Sequence, residues 1–151
     1  MKRPVDDTLE NITAALRRRE RALALLHSNS APPDFSNTVD FALPSTANLR
    51  EHPMAKAKRA KAQRMAGHVM AMKFPKILPG EKWIFILTRC APKRLDSDNV
   101  ASCFKGARDG IADRIKVDDG ETRILWESEQ QKSKTPRLKF EAWRLSQGET
   151  P

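Results

Sequence analysis

Trp83 to Leu87, WIFIL, is an unbroken run of five large apolar residues, and no apolar run in the chain is longer. Five residues are far too few to cross a bilayer, and with Thr88 to Cys90 behind them they read as a buried strand. The next thirty or so residues supply its cover. Ala91 to Leu95 read as the turn that ends it, and Asp98 can cap a helix running to about Lys116. At 100° per residue from Asp98, the positions of Val100, Phe104, Ala107, Ile111 and Ile115 fall between about 180° and 260°. That apolar stripe faces the sheet. Further strands are expected near Thr122 to Ser128 and Arg137 to Leu145, separated by the polar stretch Glu129 to Pro136. Upstream, Val39 to Leu43 alternates as a short strand ended by Pro44, and Met54 to Lys73 holds no Pro and many Ala, Lys, Arg and Met residues, which favour helix. Ala62, Met65, Val69 and Met72 fall on one side of it. The order β, α, β, α, β, β predicts an α/β fold, a compact mixed β-sheet with helices packed on it.

Ahead of this domain, expected over residues 38–147, lies an N-terminal helical extension over residues 1–37. Leu9, Ile12, Leu16, Leu23 and Leu26 recur at helical spacing over 6–27, Asp7 with Glu10 resembles a capping box, and Pro32 with Pro33 marks the linker. Met1 to Glu10 lacks the apolar stretch of a secretory signal, so a cytoplasmic location without membrane association is expected. Cys90 and Cys103 form no CxxC pair and His27, His52 and His68 are scattered, which argues against a zinc site or a disulfide framework and for buried free thiols. The net charge of +9 raises the prospect of a polyanionic partner, of which nucleic acid is the commonest.

Chemistry concentrates between Arg94 and Gly120. Asp96, Asp98 and Asn99 come directly after a strand, and Asp118 with Asp119 directly after the helix. Carboxylates gathered from a strand end and a neighbouring loop form the oxygen cage that a hard cation such as magnesium needs. Lys105 falls within about 40° of Asp98 on the helix, two turns along the same face. A cation held by such carboxylates activates water and stabilises charge in phosphodiester hydrolysis, and a nearby lysine adds positive charge at the phosphate. Spacing alone leaves the plainer alternative open: Asp98 and Asn99 as helix caps, Asp96 as a turn residue, and Asp118-Asp119-Gly120 as a turn.

The run LTRCAPKRLDSDNVASCFKGARDGIADRIKVDDG resembles the RusA family of Holliday-junction resolvases, above all its divergent phage and prophage members. Those proteins carry a DxDN element at a strand end, a helix with an essential lysine, and a DD pair before the next strand. Phe41 to Arg50, FALPSTANLR, looks like the family's first strand and loop, and the basic helix from Met54 like the family's next helix, so the resemblance covers about residues 38–145. It implies that Asp96, Asp98 and Asp119 are metal-binding catalytic acids with Asp118 beside them. The metal would be Mg²⁺, with Mn²⁺ as a substitute. The family's lysine stands three residues after the Asn, where this chain has Ser102, and Lys105 lies one turn later on the same face. The resemblance further implies a homodimer that nicks four-way DNA junctions symmetrically, with Lys56, Lys58, Arg59, Lys61, Arg64, Lys93 and Arg94 as the candidate DNA contacts. A non-catalytic basic DNA-binding protein is the alternative. A restriction-like nuclease is weaker, because no acidic-x-Lys element comes after Asp119.

Overall fold

The computed structural model describes residues 12–13, 16–17, 19–20, 23–24, 32–45, 50–118 and 120–145. The chain divides into two units, residues 1–32 with 145–151, and residues 33–144. In the first, Ile12, Thr13, Leu16, Arg17, Arg19, Glu20, Leu23 and Ala24 are helical, inside the span expected over 6–27. Asp7, Glu10, Leu9 and Leu26 lie outside the described residues.

The second unit runs β1 (Phe35–Val39), α1 (Pro53–Met70), β2 (Lys82–Ala91), α2 (Ser97–Cys103), α3 (Lys105–Ile115), β3 (Ile124–Lys132) and all but the last residue of β4 (Arg137–Leu145). The strands form one mixed α/β sheet in the order β1-β4-β2-β3. β1 pairs antiparallel with β4, and β2 pairs parallel with β3 from Trp83 opposite Ile124 to Ala91 opposite Lys132. Parallel neighbours require a crossover, which α2 and α3 supply. The four-residue link from β3 to β4 has to pass the end of β2, and Ser133 N–H donates to Ala91 O there at 3.0 Å.

β2 is buried along nearly its whole length, as its unbroken apolar run requires. The predicted stripe Val100, Phe104, Ala107 and Ile111 is buried in the core with Phe85, Leu138 and Phe140, and Ile115 packs against it. The single helix expected there is divided at Phe104. The first strand lies at Phe35–Val39 rather than Val39–Leu43, since there the alternation puts Phe35, Asn37 and Val39 inward and Ser36 and Thr38 outward. Phe74, from the connection after α1, joins the layers, meeting Phe35, Trp83 and Phe85 with ring centroids 5.0, 5.1 and 5.4 Å away. Such tilted and edge-on pairs are the preferred aromatic contacts.

The face of α1 that meets the core is not the side picked out by Ala62, Met65, Val69 and Met72. Those four are exposed, and Gln63, Ala66, Gly67 and Met70 are buried instead. The reason is how closely α3 approaches. A Cβ on Gly67 would stand 2.0 Å from Ala107 O, and one on Gly110 would stand 1.9 Å from Arg64 O. Both obstacles are backbone, so only a shift of one helix relieves them. Gly67→Ala and Gly110→Ala are therefore expected to lower stability by about 1–3 kcal/mol, against the helix-propensity gain of about 1 kcal/mol that the same change brings in an open helix. Urea-unfolding midpoints check this, with Gly120→Ala as the control, because nothing lies within 4 Å of a Cβ there.

Candidate active site

Everything that positions Asp96 and Asp98 gathers at the end of β2. The Leu95 N–H donates to Gln130 Oε1 at 2.7 Å, and Gln130 Nε2 donates back to Leu95 O at 2.8 Å. This two-way clamp ties the connection between β2 and α2 to β3. A second tie comes from Arg89, whose Nε donates to Leu43 O and whose Nη1 donates to Lys93 O, each at 2.8 Å.

Asp96 then takes the N-cap position of α2, in extended conformation, and its carbonyl accepts from Asn99 N–H and Val100 N–H at 3.0 Å each. Its side chain makes no capping hydrogen bond. Asp98 stands in the first turn, where the helix dipole favours negative charge. Both carboxylates are exposed, and neither takes part in a hydrogen bond or ion pair among the described residues. An aspartate at an N-cap is expected to cap. One that does not keeps its oxygens open for another partner.

Asp118 is placed elsewhere. α3 ends at Lys116, in the left-handed conformation with φ 58°, and Val117 N–H returns to Ala112 O at 3.0 Å. Asp118 O accepts from Glu121 N–H at 3.0 Å, and Glu121 O from Ile124 N–H at 3.3 Å. Those two turns bind Asp118 to the start of β3, opposite Trp83 at the start of β2. Asp96 is clamped beside Gln130, which pairs with Arg89. Six ladder positions separate Ile124 from Gln130, roughly 20 Å of strand. The structure thus keeps Asp96 and Asp98 together and sets Asp118 near the other end of the ladder. Asp119 lies outside the described residues. Among the described residues no three Asp, Glu, His or Cys side chains are grouped so as to hold a metal.

The two ends also differ in charge pairing. At the start of β2 and β3, Glu121 pairs with Arg123 at 2.9 Å, and Glu81 accepts from Leu78 N–H, Trp83 Nε1 and Arg144 Nη1. The Arg123 hydrogen bond holds the Glu121 carboxyl below its ordinary pKa, and the Leu78 amide, with Arg144 and Trp83, does the same for Glu81. Folded pKa values lowered in this way mean that the contribution of these pairs is present above the ordinary carboxylate range and fades as pH falls through the lowered values. At the other end Lys93, Arg94, Lys132 and Lys134 are exposed and pair with no acid among the described residues.

Of the expected DNA contacts on α1, Lys56, Lys58 and Lys61 are exposed, whereas Arg59 bridges to Glu51 at 2.8 Å and Arg64 is paired with Asp113 through Nε and Nη2. Those two guanidinium groups are committed within the fold. Lys105 opens α3, exposed and without a partner among the described residues. Cys90 and Cys103 are free and buried, and burial pushes the Cys103 thiol up to about 11, so it stays protonated at neutral pH. Sequence reasoning does not single out Arg89, a buried charge near the end of β2, where arginine is rare unless paired.

No protein-family model and no curated protein sequence matches this chain. No helix among the described residues is long and apolar enough to cross a membrane.

Proposed function

We propose that this protein is a divalent-metal-dependent endodeoxyribonuclease that nicks branched DNA, four-way junctions above all, and acts as a homodimer. The observation that carries the reading is the uncommitted pair of carboxylates, Asp96 and Asp98, held on a doubly clamped connection beside cations that have no acid to neutralise them. Mg²⁺ needs only one or two carboxylates when phosphate oxygens and waters complete its octahedron. Asp96 and Asp98 fit that role, with Mn²⁺ as the alternative ion. Bound there, the ion supplies an activated water and charge stabilisation at the phosphate. Lys93 and Arg94 contact the DNA backbone, which fixes position without reading sequence.

The acids at 118–119 enter through the dimer. Two copies related by a two-fold axis and laid antiparallel bring the end of β2 in one against the start of β3 in the other, twice over. In this arrangement each site takes Asp96 and Asp98 from one subunit and the acidic pair from its partner. Incubating the protein with labelled junction and with linear duplex, with and without Mg²⁺ or Mn²⁺, tests the function. Metal-dependent nicking of the junction is the expected result.

The rival reading, a DNA-binding protein without catalysis, draws on the separation of Asp118 from Asp96 within one chain. It requires junction binding without cutting in either metal.

Lys105 opens α3, just past the break at Phe104 that separates it from the helix of Asp98, and with no partner among the described residues it is free to meet a phosphate. Lys105→Ala is expected to lower turnover by up to about 10²-fold while leaving junction affinity nearly unchanged. Single-turnover cleavage measured beside equilibrium binding separates the two, and an unaltered cleavage rate removes Lys105 from the chemistry.

A further inference from the structure

Arg89 is only 9% exposed, and its charge has no carboxylate partner among the described residues. Its two hydrogen bonds end on carbonyl oxygens, Leu43 O and Lys93 O. A guanidinium has five N–H donors in a rigid fork, so three remain without a protein acceptor. Burying a charge without a counter-charge is costly. Yet Nη2, the one nitrogen of the group that makes no hydrogen bond, is not among the buried atoms that lack a partner, whereas Arg59 Nη1 and Arg108 Nε are. Nη2 is therefore the part of the group that reaches solvent. It does so between the chain after β1, held at Leu43, and the connection that carries Lys93 and Asp96.

We propose that Arg89 is a phosphate-binding residue whose open Nη2 takes a DNA backbone phosphate on the connection that carries Asp96 and Asp98. The proposal rests on the DNA-directed function and adds to it the group that fixes the phosphate. Nη2 offers its N–H donors to a phosphate oxygen, and a charge-assisted hydrogen bond of this kind is stronger than a neutral one. Exposed Lys93, Arg94, Lys132 and Lys134 extend the same charge outward along the end of the β2–β3 ladder, where Ser133 is bonded to Ala91. They collect the DNA, while Arg89, fixed by two carbonyls, sets the register of one phosphate. The acids at this end, Asp96 and Asp98, would repel that phosphate unless a cation sits on them. With a cation held by those acids, Arg89 and the cation would both draw the phosphate to this end.

The test is the salt dependence of junction binding for wild type, Arg89→Lys and Arg89→Met, each checked for folding by thermal melting, with Ca²⁺ in place of Mg²⁺ so that binding is read without cutting. Loss of one phosphate contact lowers the slope of log K against log salt by about 0.9. Arg89→Met is expected to show that loss and Arg89→Lys to keep the wild-type slope with weaker binding. If Arg89 is only a clip between two connections, both variants loosen the same carbonyls and behave alike, which overturns the proposal. Should Arg89→Met fail to fold, side-chain nitrogen NMR of wild type titrated with inorganic phosphate decides instead. The Arg89 resonance, assigned by its absence in Arg89→Lys, is expected to shift, and an unmoved resonance overturns the proposal. The nuclease reading fails separately: a protein with an Arg89-dependent slope that never cuts in Mg²⁺ or Mn²⁺ keeps this inference and loses that one.

Discussion

Asp96→Asn and Asp98→Asn are each expected to reduce junction cleavage by about 10² to 10³-fold or more, in line with the loss of a strong electrostatic contact to a transition state, and to leave junction binding near the wild-type level. The expectation comes from what these side chains do not do. Asp96 holds a cap position without capping, and neither carboxylate anchors anything else among the described residues. Replacing either by an isosteric amide thus breaks no bond of the fold, and melting temperatures should stay close to wild type. Removing a carboxylate also lowers repulsion toward DNA, so affinity without metal is expected to hold or rise slightly. Cleavage at the wild-type rate by either variant ends the assignment. A variant that neither folds nor binds would instead show that the acid supports the turn before α2.

How far the fold can be read in the chain depends on where a residue's environment is set. Trp83 to Leu87 is apolar at consecutive positions, which a strand buried on both faces satisfies, and β2 is buried along nearly its whole length. The stripe from Val100 to Ile111 is legible for the same reason, because large side chains at helical spacing declare the buried face themselves. On α1 the same reasoning picks the wrong face. Met65, Val69 and Met72 look like a core stripe, but the core side is chosen where α3 comes close, Gly67 against the Ala107 backbone and Gly110 against the Arg64 backbone. Small residues make close packing possible without raising hydrophobicity, so a pattern of apolar positions does not register them. The site divides in the same way. Asp96 and Asp98 are legible from their neighbours, since a strand end and a helix start adjoin them. The place of Asp118 depends on strand direction. Helices that join two parallel strands begin and end at opposite ends of the ladder, and Asp96 and Asp118, which flank them, are thereby separated.

That separation leads to the most decisive result expected. Subunits carrying Asp96→Asn, inactive alone, should regain nicking when mixed and reassociated with subunits carrying Asp118→Asn and Asp119→Asn, equally inactive alone. In the antiparallel dimer each mixed pair holds one site with both sets of acids replaced and one with both sets intact. Random reassociation makes half of the dimers mixed, so about a quarter of the wild-type sites return. Each restored dimer has a single working site. The products should therefore be singly nicked junctions rather than the paired duplexes that symmetric cutting yields, and gels under native and denaturing conditions tell the two apart. If each site instead lies within one chain, every mixed dimer has two broken sites and the mixture stays dead however it is reassociated. Wild-type protein unfolded and refolded in parallel supplies the reference, so that a dead mixture beside an active reference counts against the shared site alone and leaves the metal-dependent chemistry of Asp96 and Asp98 standing.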